Sequence, residues 1–305
     1  MFEIFFDYTF QVILFGTMAI GAVSGALGCF AYLRKQSLIG DVIAHSSLFG
    51  IMLFFLISYW LTGEGSKSLL VIIPGAIFSG ILALMLASLF SKGPRVREDS
   101  SLGVMLALFF GSGLFMLQAV QRAASIPGRR GLEGYLFGMA AAMTKSDLIM
   151  ISIVGLLALS MMLFFWKELK LYAFDPLFSH TIGFHTFWMD LLMITLLVLG
   201  IVIGIQCVGV ILMIALLITP AAAARQWTRS LGWMVFLAAV FGAMSSAVGS
   251  YFSAAFYRLP TGPIIVLAAV LILGVSILFA PARGLLWQKL KQRKASQTYK
   301  AEGST

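Results

Sequence analysis

Asp41 and His45 are four positions apart within an apolar run, and on a helix that spacing sets both side chains on one face. Together they offer a carboxylate oxygen and an imidazole nitrogen, a mixture suited to Mn²⁺, Fe²⁺ or Zn²⁺ and less to Ca²⁺, which takes oxygens alone. An ionisable group inside a membrane span costs at least about 2–3 kcal/mol, so by default it faces a partner or a pathway. Two ligands are too few for a complete site, since zinc takes about four and manganese usually more. A second copy of the same helix would supply the remainder, with two aspartates and two histidines converging on a dimer axis. The spacing also admits a structural reading, in which Asp41 caps the span near Arg34 and Lys35 and His45 is merely hydrogen-bonded within the bundle.

Other chemistry is sparsely provided for. His180 and His185 fall in a polar stretch between spans, near Lys167, Lys170 and Asp175, and read as surface histidines. An intramembrane hydrolase would need a Ser/His pair or paired metal-ligand helices, yet only one of the 3 histidines is within a span and no His-Glu-x-x-His occurs. The chain has no Gly-x-x-x-x-Gly-Lys-[Ser/Thr] loop, so any ATP hydrolysis must come from another polypeptide. Cys29 and Cys207 each sit in an apolar run and support neither a disulfide framework nor a cysteine-based zinc site.

The elements that carry Asp41 and His45 follow from composition. With 60% hydrophobic and 11% charged residues over 305 positions, the chain cannot be arranged as one soluble core under a polar skin. The expected fold is all-α, a polytopic integral membrane helical bundle forming one domain over residues 1–290, with a basic, disordered tail at 291–305. Apolar length predicts nine spans at about 10–33, 38–61, 69–90, 101–121, 147–166, 188–205, 207–225, 231–256 and 262–280. Glu3 and Asp7 stand where a cleaved signal would be basic, so the first run reads as a retained span.

The net charge of +9 reflects short cationic clusters at the ends of apolar runs, which are topology signals rather than a nucleic-acid surface. With the N-terminus outside and the C-terminus inside, 15 of the 21 lysines and arginines fall on the cytoplasmic side. Residues 122–146 resist the pattern: Arg122, Pro127, Arg129 and Arg130 precede a run from Tyr135 to Met143 too short to cross, which predicts a partial or re-entrant helix on the outer side. Gly21/Gly25, Gly200/Gly204 and Gly242/Ser246/Ser250 are spaced for close helix packing, and Pro74 and Pro220 mark kinks. The stretch from Trp166 to Phe187 is the longest cytoplasmic loop. It is too hydrophobic for a linker and reads as an amphipathic helix docked on a partner.

A family likeness emerges from these residues. Arg34-Lys-Gln-Ser-Leu-Ile-Gly-Asp41-Val-Ile-Ala-His45-Ser-Ser-Leu-Phe-Gly50 resembles the second span of the permeases of ABC manganese, zinc and iron importers, whose pattern there is close to Gly-Asp-Ala-x-Ser-His-Ala-x-x-Pro-Gly. The likeness continues through Arg97-Glu-Asp-Ser-Ser-Leu-Gly103, Tyr135-Leu-Phe-Gly138, Ala173-Phe-Asp175-Pro176, the stretch from Val208-Gly209 to Thr219-Pro220, and Leu259-Pro-Thr-Gly-Pro263, in the same order over roughly residues 20–280. The chain departs from it at Ser46-Ser47-Leu48-Phe49, where the family often has Ala and a Pro, and at His180, where small residues are usual.

The resemblance implies a bundle related to type II ABC importer permeases, with no permanently bound cofactor and a divalent Mn, Zn or Fe ion as cargo. Its implied partners are a second permease, as copy or paralogue, cytoplasmic ATP-binding subunits, an extracytoplasmic metal-binding protein and the lipid bilayer. Asp41 and His45 fall on the family's metal-path residues. Phe174, Asp175 and Pro176 fall on the coupling helix that enters a groove of the ATPase. A permease for a larger metal chelate, or a proton-driven carrier, are the alternatives.

Overall fold

The computed structural model describes residues 7–34, 37–91, 97–123, 126–129, 131, 132, 134–138, 140, 143–256, 259–282, 284, 286 and 287. In chain order the helices are α1 (Tyr8–Leu33), α2 (Ser37–Thr62), α3 (Leu69–Ser91), α4 (Glu98–Arg122), α5 (Gly134–Phe137), α6 (Lys145–Phe164), α7 (Trp166–Phe174), α8 (Pro176–Thr181), α9 (Thr186–Val208), α10 (Val210–Trp227), α11 (Leu231–Ala255) and α12 (Thr261–Phe279). No strand occurs among the described residues. The tail expected at 291–305 lies outside them, as do Lys35 and the cations at 92 and 95.

Each of the nine expected spans coincides with a long helix. Among the described residues, eight of them are long and apolar enough to cross a membrane. The ninth, α10, is 18 residues long, starts after Gly209 and carries Arg225 in its last turn. Gly209 adopts φ 83°, a conformation that favours glycine, and its N–H closes the end of α9 on Ile205. The chain reverses there, and Gly204 packs against Met213 across the turn.

Helix ends are stopped by local chemistry. Asp7 caps α1 by accepting from the Thr9 N–H at 3.0 Å, and Thr144 and Asp147 form a reciprocal capping box at the start of α6. In the interior the small-residue spacing is realised as backbone contact between α1 and α11, where Gly21 abuts Gly242 and Thr17 shares a 2.8 Å hydrogen bond with Ser250. Next to this seam, α10 is enclosed, with Met213, Leu216, Leu217, Ala221 and Ala224 fully buried. Outward faces of α6 and α12 are rows of exposed apolar side chains such as Ile153, Leu156, Leu267 and Leu271, as lipid-facing surfaces require.

Among the described residues between α4 and α6, turns at 127–128 and 131–132 precede the four-residue α5, with Leu132, Tyr135, Ala140 and Met143 buried. The segment is thus a partial helix tucked against α9 and α10. It lies with the α2–α3 loop, since Gly65 backs onto Pro127. At the other end, Trp166 meets Phe30 edge-on at 6.1 Å, Gly232 approaches Trp166, and Trp227 donates to the Ser276 hydroxyl at 3.0 Å. Arg34, Lys167, Lys170, Arg225 and Arg229 therefore gather at a single end of the bundle.

Candidate metal path and coupling segment

Helix α2 runs unbroken through both candidate ligands. Val42, Ile43, Ala44 and Leu48 are fully buried and anchor one side of it, while Asp41 and His45 share a half-buried face. Where the resembled family has a proline, this chain keeps the helix and satisfies its serines locally: the Ser46 and Ser47 hydroxyls donate to the Ile43 carbonyl at 3.1 and 2.6 Å. The His45 ring packs edge-on against Phe110 of α4, with centroids 4.6 Å apart. Its Nδ1 is buried without a hydrogen-bond partner.

Arg34 does not turn to Asp41. It caps α1, and its Nη1 donates to Asp190 at 2.8 Å, the ion pair that fastens α1 to α9. Asp41 sits in the second turn of α2 and makes no hydrogen bond or ion pair among the described residues. Among the described residues Asp41 has no capping partner, Lys35 lying outside them, and His45 is not held by a hydrogen bond at Nδ1. No cluster of three or more His, Cys, Asp or Glu side chains that could hold a metal forms among the described residues, so the pair offers two donors and no more.

The stretch from Trp166 to Phe187 is two short helices rather than one. Asp175, at φ −145° and ψ 86°, ends α7 and caps α8, its Oδ1 accepting from the Phe178 N–H at 2.9 Å, with Pro176 in the first turn of α8. Leu169 and Tyr172 anchor α7 in the bundle. On either side of the corner, Phe174 is 52% exposed and Leu177 83%, with Phe178 and Ile182 also half open. These apolar side chains form a knob at the cation-rich end of the bundle. His180 and His185 are exposed.

Sequence reasoning missed one cluster, in which Tyr172 donates to the same Asp190 oxygen at 2.5 Å and lies under the Arg34 guanidinium, 4.3 Å from its ring centre. Burial and the hydrogen bond to Asp190 push the Tyr172 phenol up to about 12. The available signal was an aspartate and an arginine, each a few residues from a span end.

The model of the ABC 3 transport family matches residues 6–280, nearly the whole bundle. The chain belongs to that family. Over 294 residues it is 40% identical to the zinc transport system membrane protein TroC of Treponema pallidum, covering 96% of each chain. It is 39% identical over 275 residues to the manganese transport system membrane protein MntC of Bacillus subtilis, covering 90% of this chain and 62% of that one. The solved structure of PsaBC from Streptococcus pneumoniae in complex with Fab matches with a TM-score of 0.81 at 32% identity, covering 94% of this chain and 97% of the matched one. This member of the ABC 3 family is thus a multi-pass helical membrane protein with the architecture of an ABC importer permease.

Proposed function

We propose that this chain is the membrane permease subunit of an ATP-driven importer for a divalent transition-metal ion, with manganese favoured and zinc or iron close behind. The observation that carries the reading is the Asp41–His45 pair: two donors on one half-buried face of α2, with no hydrogen bond or ion pair to Asp41 or to the His45 Nδ1 among the described residues. The relatives named for zinc and manganese transport support the same cargo class. Two donors from each of two permeases would give a four-ligand set, weak enough to release its ion when the two α2 helices move apart.

The rest of the machine follows from this assignment. Residues 1–290 act as one permease domain in the inner membrane of a bacterium, N-terminus outside and C-terminus cytoplasmic. The Phe174–Asp175–Pro176 corner docks in a groove of a cytoplasmic ATPase subunit, which supplies the hydrolysis. A metal-binding protein delivers the ion from the outside. The deciding experiment is ATPase activity of the complex reconstituted with both partners, measured across Mn²⁺, Zn²⁺ and Fe²⁺. Stimulation by a free ion supports the reading, and stimulation only by a metal chelate, or transport with ATP withheld, refutes it.

A further inference from the structure

Arg34, Tyr172 and Asp190 close a triangle between three helices. Arg34 donates to Asp190 Oδ1 at 2.8 Å, Tyr172 donates to that same oxygen at 2.5 Å, and the Arg34 guanidinium carbon stands 4.3 Å from the Tyr172 ring centre. The Arg34 side chain is 13% exposed and Tyr172 1%, so the contact is largely withdrawn from solvent, with the Asp190 carboxylate open at 45%. Breaking such a partly buried network costs more than an exposed ion pair, which contributes about 0–1 kcal/mol. Trp166, at the opposite end of α7, meets Phe30 of α1, so α7 is held to α1 at both of its ends.

Chain connectivity gives this triangle its direction. Tyr172 precedes the exposed Phe174 by two residues, and Asp175 starts α8 immediately afterwards. Arg34 is the C-cap of α1, and α2 begins at Ser37, with Asp41 in its second turn. One side-chain contact thus joins the α7–α8 corner to the end of α1, three residues before α2 begins with its candidate ligands. Among the described residues the side-chain hydrogen bonds that tie α7 to its neighbours are those of the triangle, and its other end is held by packing of Trp166 on Phe30.

We propose that Arg34, Tyr172 and Asp190 are positioning residues that couple movement of the α7–α8 segment to α2, so that ATP hydrolysis is converted into opening and closing of the Asp41–His45 pair. This rests on the permease reading above, and it assigns a role to three residues that touch neither the metal nor the ATPase. A purely structural staple would lower the amount of assembled complex, or reduce transport and hydrolysis together. A coupling contact instead changes their ratio.

The test uses the complete complex, reconstituted with its ATPase and metal-binding protein, and measures Mn²⁺ and Zn²⁺ delivered per ATP hydrolysed. Tyr172→Phe keeps the ring and removes one hydrogen bond, Asp190→Asn removes the charge, and Asp190→Glu retains an acceptor for Arg34. The first two variants should assemble and hydrolyse ATP while metal moved per ATP falls by about ten-fold, the scale of a coupling energy. Asp190→Glu should recover most of the ratio. An unchanged ratio in both Tyr172→Phe and Asp190→Asn, including equal loss of transport and hydrolysis, overturns the proposal. Phe174→Ala, scored for ATPase association, separates this outcome from failure of the docking assignment. If Phe174→Ala strips the ATPase while the other two variants keep their ratio, the triangle alone is refuted. If Phe174→Ala leaves association intact while Tyr172→Phe lowers the ratio, the docking assignment is refuted and the triangle stands.

Discussion

The imidazole of His45 on α2 meets the ring of Phe110 on α4 edge-on, with 4.6 Å between centroids and 66° between planes. This contact holds the ring by packing while its Nδ1 is left without a hydrogen-bond partner. An imidazole ordered by an aromatic neighbour rather than by a carboxylate keeps its donor capacity for a ligand. Asp41→Asn keeps the volume but removes the charge that offsets a cation's desolvation, and His45→Ala removes a ligand outright. Both variants should assemble with the ATPase and lose metal uptake. A purely structural Asp41 capping the helix near Arg34 would tolerate Asn, which matches Asp in shape and caps about as well. Full metal uptake by a well-expressed Asp41→Asn complex would sink the metal assignment.

A second expectation concerns the exposed knob. Phe174 is half exposed at the junction of α7 and α8, and Asp175 holds that junction through its bond to the Phe178 N–H. An aromatic side chain of this kind filling a partner groove is worth about 2 kcal/mol on truncation, or about thirty-fold in affinity. Phe174→Ala should weaken ATPase association by that order, leaving the permease folded. Co-purification of the ATPase in normal yield, together with normal transport, would count against docking at this corner.

The legible parts of this molecule are those governed by local chain physics. Nine apolar runs became nine long helices because run length against the bilayer needs no tertiary information. Asp41 and His45 were readable because a four-residue spacing on a helix puts two side chains on one face whatever surrounds them. Gly209 and Asp175 show the limit: each breaks a segment that apolar content alone had left continuous or differently bounded. The Arg34–Asp190 pair joins residues 156 positions apart, and each lone charge at a span end looks like any other topology signal. Only the folded bundle shows that these two charges answer one another, with Tyr172 between them.

Topology supplies a third test. Glu64 is exposed in the α2–α3 loop, and Lys170 is exposed on α7 at the opposite, cation-rich end of the bundle. In the proposed orientation, Glu64→Cys should react with a membrane-impermeant maleimide in intact cells, whereas Lys170→Cys and Ser296→Cys should react only after permeabilisation. Native Cys29 is buried and would not obscure the readout, and Cys207 is replaced by Ala in the background. Labelling of Ser296→Cys from outside would invert the orientation or change the span count.

The last prediction probes the seam that holds α1 against α11. A Cβ added to Gly21 would run into the Gly242 carbonyl and the Ser246 hydroxyl, and one added to Gly242 would run into the Gly21 carbonyl. The nearest atoms are backbone, which cannot rotate aside, so either substitution must push the helices apart. Thr17 and Ser250 would then lose their 2.8 Å hydrogen bond along the same seam. Membrane helices associate through close packing and such hydrogen bonds because lipid gives no hydrophobic force between them. Gly21→Ala should therefore destabilise by about 1–3 kcal/mol, the usual scale of overpacking. Gly274 on α12 has no atom within 4 Å of an added Cβ and serves as the comparison. Gly274→Ala should be neutral or stabilising by up to about 1 kcal/mol, since alanine is the better helix former. Thermal unfolding of the two purified variants in the same detergent measures the difference. Equal melting temperatures for Gly21→Ala and Gly274→Ala would mean that α1 and α11 can separate without cost, contrary to the backbone contact between Gly21 and Gly242.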